Sequence, residues 1–91
     1  MPVFAATYRY ADDPPRLDQH RPRHRAFLAD LHRDGILHLS GPLQSPAGGL
    51  LILTGDSPRD VEETLDADPF HQEGLIAERE IREWTVVIGR L

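Results

Sequence analysis

The sequence of 91 residues contains no cysteine and no lysine. Without cysteine, the chain has neither a disulfide framework nor a thiol nucleophile. A domain of this size has a thin hydrophobic core and usually needs further stabilisation, so association with a second copy is the expected support. All ten basic residues are arginine, which fits a compositional bias, although a single arginine can still hold a carboxylate through two parallel hydrogen bonds.

Positive charge and long apolar runs are also scarce. The formal net charge of −5 disfavours a general nucleic-acid or anionic-membrane binder. The longest uninterrupted apolar run, Leu50–Leu53, is far too short to span a membrane. The first residues, MPVFAATYRY, lack the basic start and the apolar run of a signal peptide. We therefore expect one cytoplasmic domain over residues 1–91, with no nucleic-acid partner and no membrane partner.

The sequence lacks the usual motifs for phosphate cofactors and for serine nucleophiles. The glycines of PAGG precede a predicted strand and no helix, so they indicate a hairpin turn and not a phosphate-binding loop. Ser40 lacks the Gly-x-Ser-x-Gly context of a nucleophile elbow. We expect no cofactor.

Apolar spacing and turn residues divide the chain into six elements. Four segments have the composition of strands: residues 3–10, 36–41, 50–54 and 76–91. A first helix is predicted between Leu17 and Asp34, beginning within residues 19–22 with Pro22 at its first position, and ended by Gly35. A second helix is predicted from Ser57 as N-cap to about Ala67.

The element order predicts an α+β fold of the ferredoxin-like βαββαβ type. With right-handed crossovers, this order gives a four-stranded antiparallel sheet with both helices on one face. In the third strand Leu50 and Ile52 oppose Leu51 and Leu53, so both faces are apolar. The last strand is predicted to place three residues on each face: Trp84, Val86 and Ile88 opposite Ile81, Thr85 and Val87.

Because both faces of the predicted sheet are apolar, each face needs another structural element packed against it. The helices cover one face, and a second subunit packed sheet against sheet is the simplest cover for the other, which predicts a homodimer. The apolar strands, this dimer cover and the acidic charge argue against RNA binding on the sheet.

His24 is the first candidate for chemistry. In RPRHRAFL it shares a helical stripe with His20, Phe27 and Leu28, so a hydrogen-bonded core histidine is one interpretation. If the helix begins near Pro22, His24 lies in the first turn, where the helix dipole favours neutral imidazole. A neutral imidazole can act as a general base, and a carboxylate can fix its tautomer.

Asp68 is the candidate for that carboxylate. In DADPFHQEG it either satisfies local backbone donors after the second helix or orients His24. Because the two helices run antiparallel on one face of the sheet, the end of the second helix is expected near the start of the first. The pair would then serve general acid–base catalysis.

Four residues are weaker candidates for substrate binding, each with a simpler alternative. Arg21 binds a substrate carboxylate or is a solvated charge; Ser40 offers a hydroxyl beside a turn glycine. Tyr8 lines the cavity or is a half-buried strand residue, and Phe70 is a hydrophobic plug beside Asp68.

A metal site is the other interpretation of the histidines. His20 and His24 have the i, i+4 spacing of helical metal ligands, with Asp68 or His71 as a conceivable third ligand. The HExxH pattern is absent because Arg21 occupies the glutamate position, and we predict no metal.

Three segments together resemble the YciI-like (YCII-related) family: RPRHRAFLADLHRDGILHLSGPL, GGLLIL and DADPF. The resemblance implies a ferredoxin-like dimer of the α+β barrel type, with an active site that pairs His24 and Asp68. Some relatives are dehydrochlorinases of chlorinated aromatic intermediates, and the fold is similar to that of muconolactone isomerases. We therefore expect a cofactor-independent lyase or isomerase acting on a small organic substrate. The alternative is a non-catalytic subunit that binds a small molecule in the same cleft.

Overall fold

The computed structural model describes residues 1–91 and forms one four-stranded antiparallel sheet. Its strands are β1 (Val3–Tyr10), β2 (Leu37–Leu43), β3 (Gly48–Thr54) and β4 (Ile76–Glu83), in the order β2-β3-β1-β4. Its helices are α1 (Pro14–Arg33), α2 (Pro58–Asp66) and the short α3 (Pro69–Gln72). This is the ferredoxin-like topology, which confirms the predicted fold class; α3 is an addition that the sequence pattern did not show.

The hydrophobic core lies between the helices and one face of the sheet. Alternate residues of β1 and β3 supply the sheet side of the core, as the two-residue period of a strand requires. Val61 and Leu65 of α2 are fully buried against it. The buried residues of α1 are Leu17, His20 and His24. The helix that closes the core therefore carries two imidazoles into the interior.

The start of α1 differs from the prediction. The helix begins at Pro14, with Asp13 as N-cap accepting a hydrogen bond from the Arg16 amide at 3.4 Å. Pro14 and Pro15 occupy the first turn, where a missing N–H costs no hydrogen bond, so this is a better start than Pro22. Pro22 lies inside the helix and His24 near its middle. The argument from the first-turn dipole was therefore wrong, whereas Gly35 does follow the helix with a positive φ of 78°.

The last strand is shorter than predicted. β4 pairs only with β1, and because the two strands are antiparallel, the last residue of β4, Glu83, lies opposite Phe4 at the beginning of β1. Beyond it the Trp84 amide still donates to the Val3 carbonyl at 2.8 Å, but residues 84–91 have no strand to pair with. The predicted alternation of faces from Trp84 to Ile88 was therefore wrong. β2 and β3, in contrast, extend further towards their shared hairpin than predicted.

The sheet face opposite the helices is uncovered. It carries a shallow depression of about 350 Å³ whose apolar side chains include Ala5, Leu50, Ile52 and Trp84. Charged residues of β4 border this depression. None of the helices combines the length and the apolar character that crossing a membrane requires.

Candidate active site

Asp68 is a fully buried carboxylate at the junction of α2 and α3. Its Oδ1 accepts a hydrogen bond from the Phe70 amide at 2.9 Å, which makes it the N-cap of α3. The residue before a proline is driven out of the helical region, and the extended backbone of Asp68 turns its side chain back onto α3. Asp68 therefore does satisfy a local backbone donor, as one of the two interpretations of its sequence position predicted.

The same carboxylate binds His24. The His24 Nδ1 lies 2.8 Å from Oδ1 and 3.0 Å from Oδ2 of Asp68, although the two residues are 44 positions apart. A carboxylate opposite Nδ1 assigns the proton to that nitrogen and leaves the lone pair on Nε2. The Nε2 atom has no hydrogen-bond partner within the chain. The structure thus brings the two residues together and leaves one imidazole nitrogen available.

Phe70 fixes the plane of the imidazole. The rings of His24 and Phe70 are stacked with centroids 3.9 Å apart and planes within 4° of parallel. Because the Phe70 amide is bound to Asp68, the Asp-Pro-Phe segment supplies both the partner of Nδ1 and the surface against which the ring lies. The imidazole can then neither rotate nor tilt without losing contacts.

Tyr8 is not a lining residue of the cleft. It is 3 % exposed and does not line the cleft, and its hydroxyl donates to Oδ2 of the fully buried Asp68 at 3.2 Å. Tyr8 therefore does not lie where the prediction of a substrate-binding residue requires it: it contacts Asp68 and not the cleft. Tyr8 instead satisfies an oxygen of Asp68 that would otherwise be buried without a full set of donors.

Burial, followed by the charge of Asp68, raises the pKa of the Tyr8 phenol above its ordinary value of 10.0. Burial raises the pKa of Tyr10 as well. Above pH 10 the unfolded chain therefore loses phenolic protons that the folded chain keeps, so stability is full below this pH and falls above it. Between its unfolded and its folded pKa, a single tyrosine contributes a slope of at most about 1.4 kcal/mol per pH unit.

We expect Tyr8→Phe to reduce this alkaline loss of stability, because phenylalanine has no phenolic proton to lose. Urea unfolding of the wild type and the variant, followed from about pH 8 to about pH 11, measures both slopes. Equal slopes above pH 10 in the two proteins would show that Tyr8 ionises in the folded state.

The cleft beside His24 has a volume of about 290 Å³ and lies between α1 and the β2–β3 end of the sheet. It is lined by Tyr10, Arg21, His24, Arg25, Leu28, Ser40, Gly41, Pro42, Gly49, Leu50, Leu51 and Phe70. Arg21, Ser40 and Phe70 thus stand where the substrate-binding prediction needs them. Arg21 also pairs with Asp18, one turn earlier on α1.

Tyr10 and Arg25 are cleft residues that the sequence reading missed. Tyr10 packs edge-on against Phe70 with centroids 5.4 Å apart. A Cβ at Gly49 would lie 3.1 Å from the Tyr10 hydroxyl, so glycine leaves the space that this hydroxyl occupies. The alternation of β1 places Tyr8 and Tyr10 on the same face, and this was the available signal for Tyr10. Arg25 offered no signal beyond its position next to His24.

The other two histidines of the metal-site interpretation, His20 and His71, are engaged elsewhere. The His20 Nδ1 contacts Arg23, and its Nε2 lies 3.4 Å from Oε1 of Glu73. The His71 Nε2 lies 3.4 Å from Oδ1 of Asp66. No group of three or more His, Asp or Glu side chains is arranged to hold a metal ion.

A sequence model of the YCII-related domain matches residues 1–85, which include every residue of the cleft. The chain belongs to the YCII-related family. No curated protein sequence matches it. The family assignment confirms the resemblance of the arginine-proline-histidine and Asp-Pro-Phe segments, and it covers the elements that carry His24 and Asp68.

Solved structures share the fold of this YCII-related protein. The 5-chloro-2-hydroxyhydroquinone dehydrochlorinase of Burkholderia phenoliruptrix, solved with 2,5-dihydroxybenzoquinone, superposes with a TM-score of 0.79 at 20% identity, over 91% of this chain and 93% of that one. An antibiotic biosynthesis monooxygenase gives 0.60 at 10% identity, over 97% and 100%. A Pseudomonas aeruginosa protein gives 0.57 at 14% identity, over 94% and 93%. At these identities the likeness establishes the ferredoxin-like fold of dimeric α+β barrels and nothing finer.

Proposed function

We propose that this YCII-related protein is a small enzyme that moves protons on a small organic substrate. His24 is the general acid and base, and Asp68 is the carboxylate that orients it. The observation that carries the proposal is the 2.8 Å contact between Nδ1 of a buried imidazole and a fully buried carboxylate, at the wall of a cleft. Buried pairs of this kind hold the imidazole in one tautomer and stabilise its protonated form.

The chemistry begins with proton transfer to Nε2. When the imidazole takes a proton from a C–H or O–H bond, Asp68 stabilises the positive charge that forms. In an elimination, the electron pair left behind forms a double bond while a leaving group such as chloride departs. In an isomerisation, the imidazolium returns the proton to a different carbon. Both reactions balance with a single acid–base group, and the likeness to a dehydrochlorinase supports a small-molecule enzyme of this kind.

Turnover assays test the proposal. The protein is incubated with 5-chloro-2-hydroxyhydroquinone, and separately in D₂O with a panel of small carbonyl acids, while chloride release and deuterium incorporation are followed. We expect catalysis of at least one of these reactions. Saturable binding of a panel compound without any chemistry would contradict the proposal and favour the non-catalytic binding subunit.

We also propose that two copies associate through the uncovered face of the sheet. This face has an apolar centre formed by Ala5, Leu50 and Ile52, with Glu80 and Arg82 beside it. An apolar centre with a polar rim is the usual anatomy of a protein–protein interface. Trp84, 42% exposed in the single chain, lies at the edge of this face and would lose that exposure on association.

We expect Ala5→Glu to convert this dimer into a monomer. Ala5 lies on β1, a central strand of the sheet, so the variant places a carboxylate in the apolar centre of the interface. Arg82 lies opposite on β4, but burying the added charge in the interface still opposes association. Sedimentation should give about twice 10.3 kDa for the wild type and about 10.3 kDa for the variant. Gln72→Glu adds the same charge on the exposed surface of α3 and should remain dimeric. A wild-type monomer, or a dimeric Ala5→Glu, would contradict the proposal.

A further inference from the structure

The ionisable groups that line the cleft include basic side chains and no acidic ones. Its lining contains the guanidinium groups of Arg21 and Arg25 and the imidazole of His24, and no carboxylate. Asp68 is buried and contacts His24, and its oxygens are occupied by three donors; Asp18 pairs with Arg21 but does not line the cleft. The chain as a whole carries a net charge of −5. A local excess of positive charge in an acidic protein favours an anionic ligand at this position.

Arg25 is the free cation of this lining. Most arginines of the chain are paired with a carboxylate, and Arg21 itself pairs with Asp18. Arg25 forms no such pair, although it lies on the same helix, one residue after His24. Residues four apart on a helix share a face, and Arg21 and Arg25 both line the cleft together with His24. A guanidinium group left without a protein partner can hold a carboxylate or phenolate through two parallel hydrogen bonds.

The absence of carboxylates continues beyond the cleft. A neighbouring groove of about 380 Å³ between α1 and β2 shares Arg25, Leu28 and Ser40 with the cleft. It adds His32 and His38 and again contains no carboxylate. Arg25 thus stands at the junction of two concave surfaces, and neither offers it an internal counter-charge.

The uncharged part of the cleft suits a flat molecule. Phe70, Tyr10 and Leu28 provide apolar surface, and the glycines at positions 41 and 49 keep the sheet side free of side chains. The volume of about 290 Å³ lies at the lower end of the range for small-molecule sites. Phosphate is disfavoured, because the N-terminus of α3 already binds the Asp68 side chain and no other helix N-terminus lines the cleft.

We infer that the cleft takes a small planar organic anion, a carboxylate or a phenolate, and that Arg25 binds its charged group beside His24. This inference rests on the proposed function, which places the reactive atoms of the substrate at His24. To that function it adds a class of substrate, planar organic anions, and a residue that determines specificity, Arg25. A neutral molecule of the same shape would form no charge-assisted hydrogen bond with Arg25 and bind more weakly.

The test is a titration followed by NMR, with benzoate as the anion, benzamide as its neutral counterpart and inorganic phosphate as the competitor class. We expect benzoate to shift the amide signals of Gly41, Gly49 and Phe70 and to bind at least about tenfold more tightly than benzamide or phosphate. Arg25→Gln should weaken benzoate binding by about tenfold or more and leave benzamide unchanged. Arg59→Gln, which removes an exposed arginine of α2, is the matched control and should bind as the wild type does.

The outcomes separate this inference from the proposed function. Equal binding of benzoate and benzamide, preference for phosphate, or unchanged benzoate binding in Arg25→Gln would each overturn the inference. Benzoate binding that depends on Arg25, in a protein that turns over no substrate, would support the inference while contradicting the catalytic role of His24.

Discussion

Replacing His24 with glutamine is expected to lower kcat/KM by about 10²- to 10⁴-fold, the contribution of a positioned general acid–base group. Glutamine keeps a polar group of similar length next to Asp68 and still packs on Phe70, so the fold is expected to survive. It cannot take a proton at the position of Nε2. The loss should therefore be in turnover, measured as chloride release or deuterium incorporation with the substrate that the wild type accepts.

His71→Gln is the matched control for this experiment. His71 is a surface histidine of α3 whose Nε2 faces Asp66, and it does not line the cleft. The same substitution there should leave kcat/KM within about twofold of the wild type, since it removes at most a surface ion pair. If His24→Gln kept full activity, the assignment of His24 as the acid–base group would be wrong.

Replacing Asp68 with alanine is expected to destabilise the fold by about 3–5 kcal/mol. The carboxylate accepts hydrogen bonds from the Tyr8 hydroxyl, the His24 Nδ1 and the Phe70 amide, all in a site closed to solvent. Alanine leaves these three donors without an acceptor, and each unsatisfied buried donor costs about 1–3 kcal/mol. Against a typical total stability of about 5–15 kcal/mol, this is a large fraction.

Urea unfolding measures this loss directly, with Asp30→Ala as the control. Asp30 pairs with Arg33 on the surface, where both side chains are well exposed, and its removal should cost less than about 1 kcal/mol. Asp68→Asn should fall between the two. Asparagine keeps one acceptor oxygen, but its amide brings N–H donors into a site where the neighbours already donate. A cost below about 1 kcal/mol for Asp68→Ala would show that the neighbours reorganise to satisfy each other.

The sequence specified the topology better than the ends of its elements. The βαββαβ order and the end of α1 at Gly35 follow from local signals, and they suffice to place both helices on one face. The start of α1 was missed because two proline signals compete, and Asp13-Pro14-Pro15 provides both the cap and the first turn. The end of β4 could not be predicted locally, because it depends on where its partner β1 begins.

The candidate site was predictable in part for a similar reason. The antiparallel arrangement of the helices was enough to bring Asp68 near His24, even though the expected position of His24 in the first turn was wrong. Tyr8 and Tyr10 lie on the same face of β1, but Tyr8 is buried against Asp68 whereas Tyr10 lines the cleft. The difference depends on which helix residues pack over each tyrosine, and the strand pattern alone does not show this. Whether Arg25 lines the cleft likewise depends on how α1 is rotated about its axis relative to the sheet, which the sequence does not show.

The three hydrogen bonds to Asp68 have a consequence for how variants of this protein would behave in a cell. Because one carboxylate holds α3, β1 and α1 together, its loss raises the unfolded fraction that proteases remove. A genetic screen for loss of function would therefore recover substitutions of Asp68 as proteins of low abundance. Substitutions of His24 to residues that keep the packing would be recovered at normal abundance. The protein level alone would then distinguish variants of Asp68 from variants of His24, although the two side chains are hydrogen-bonded to each other.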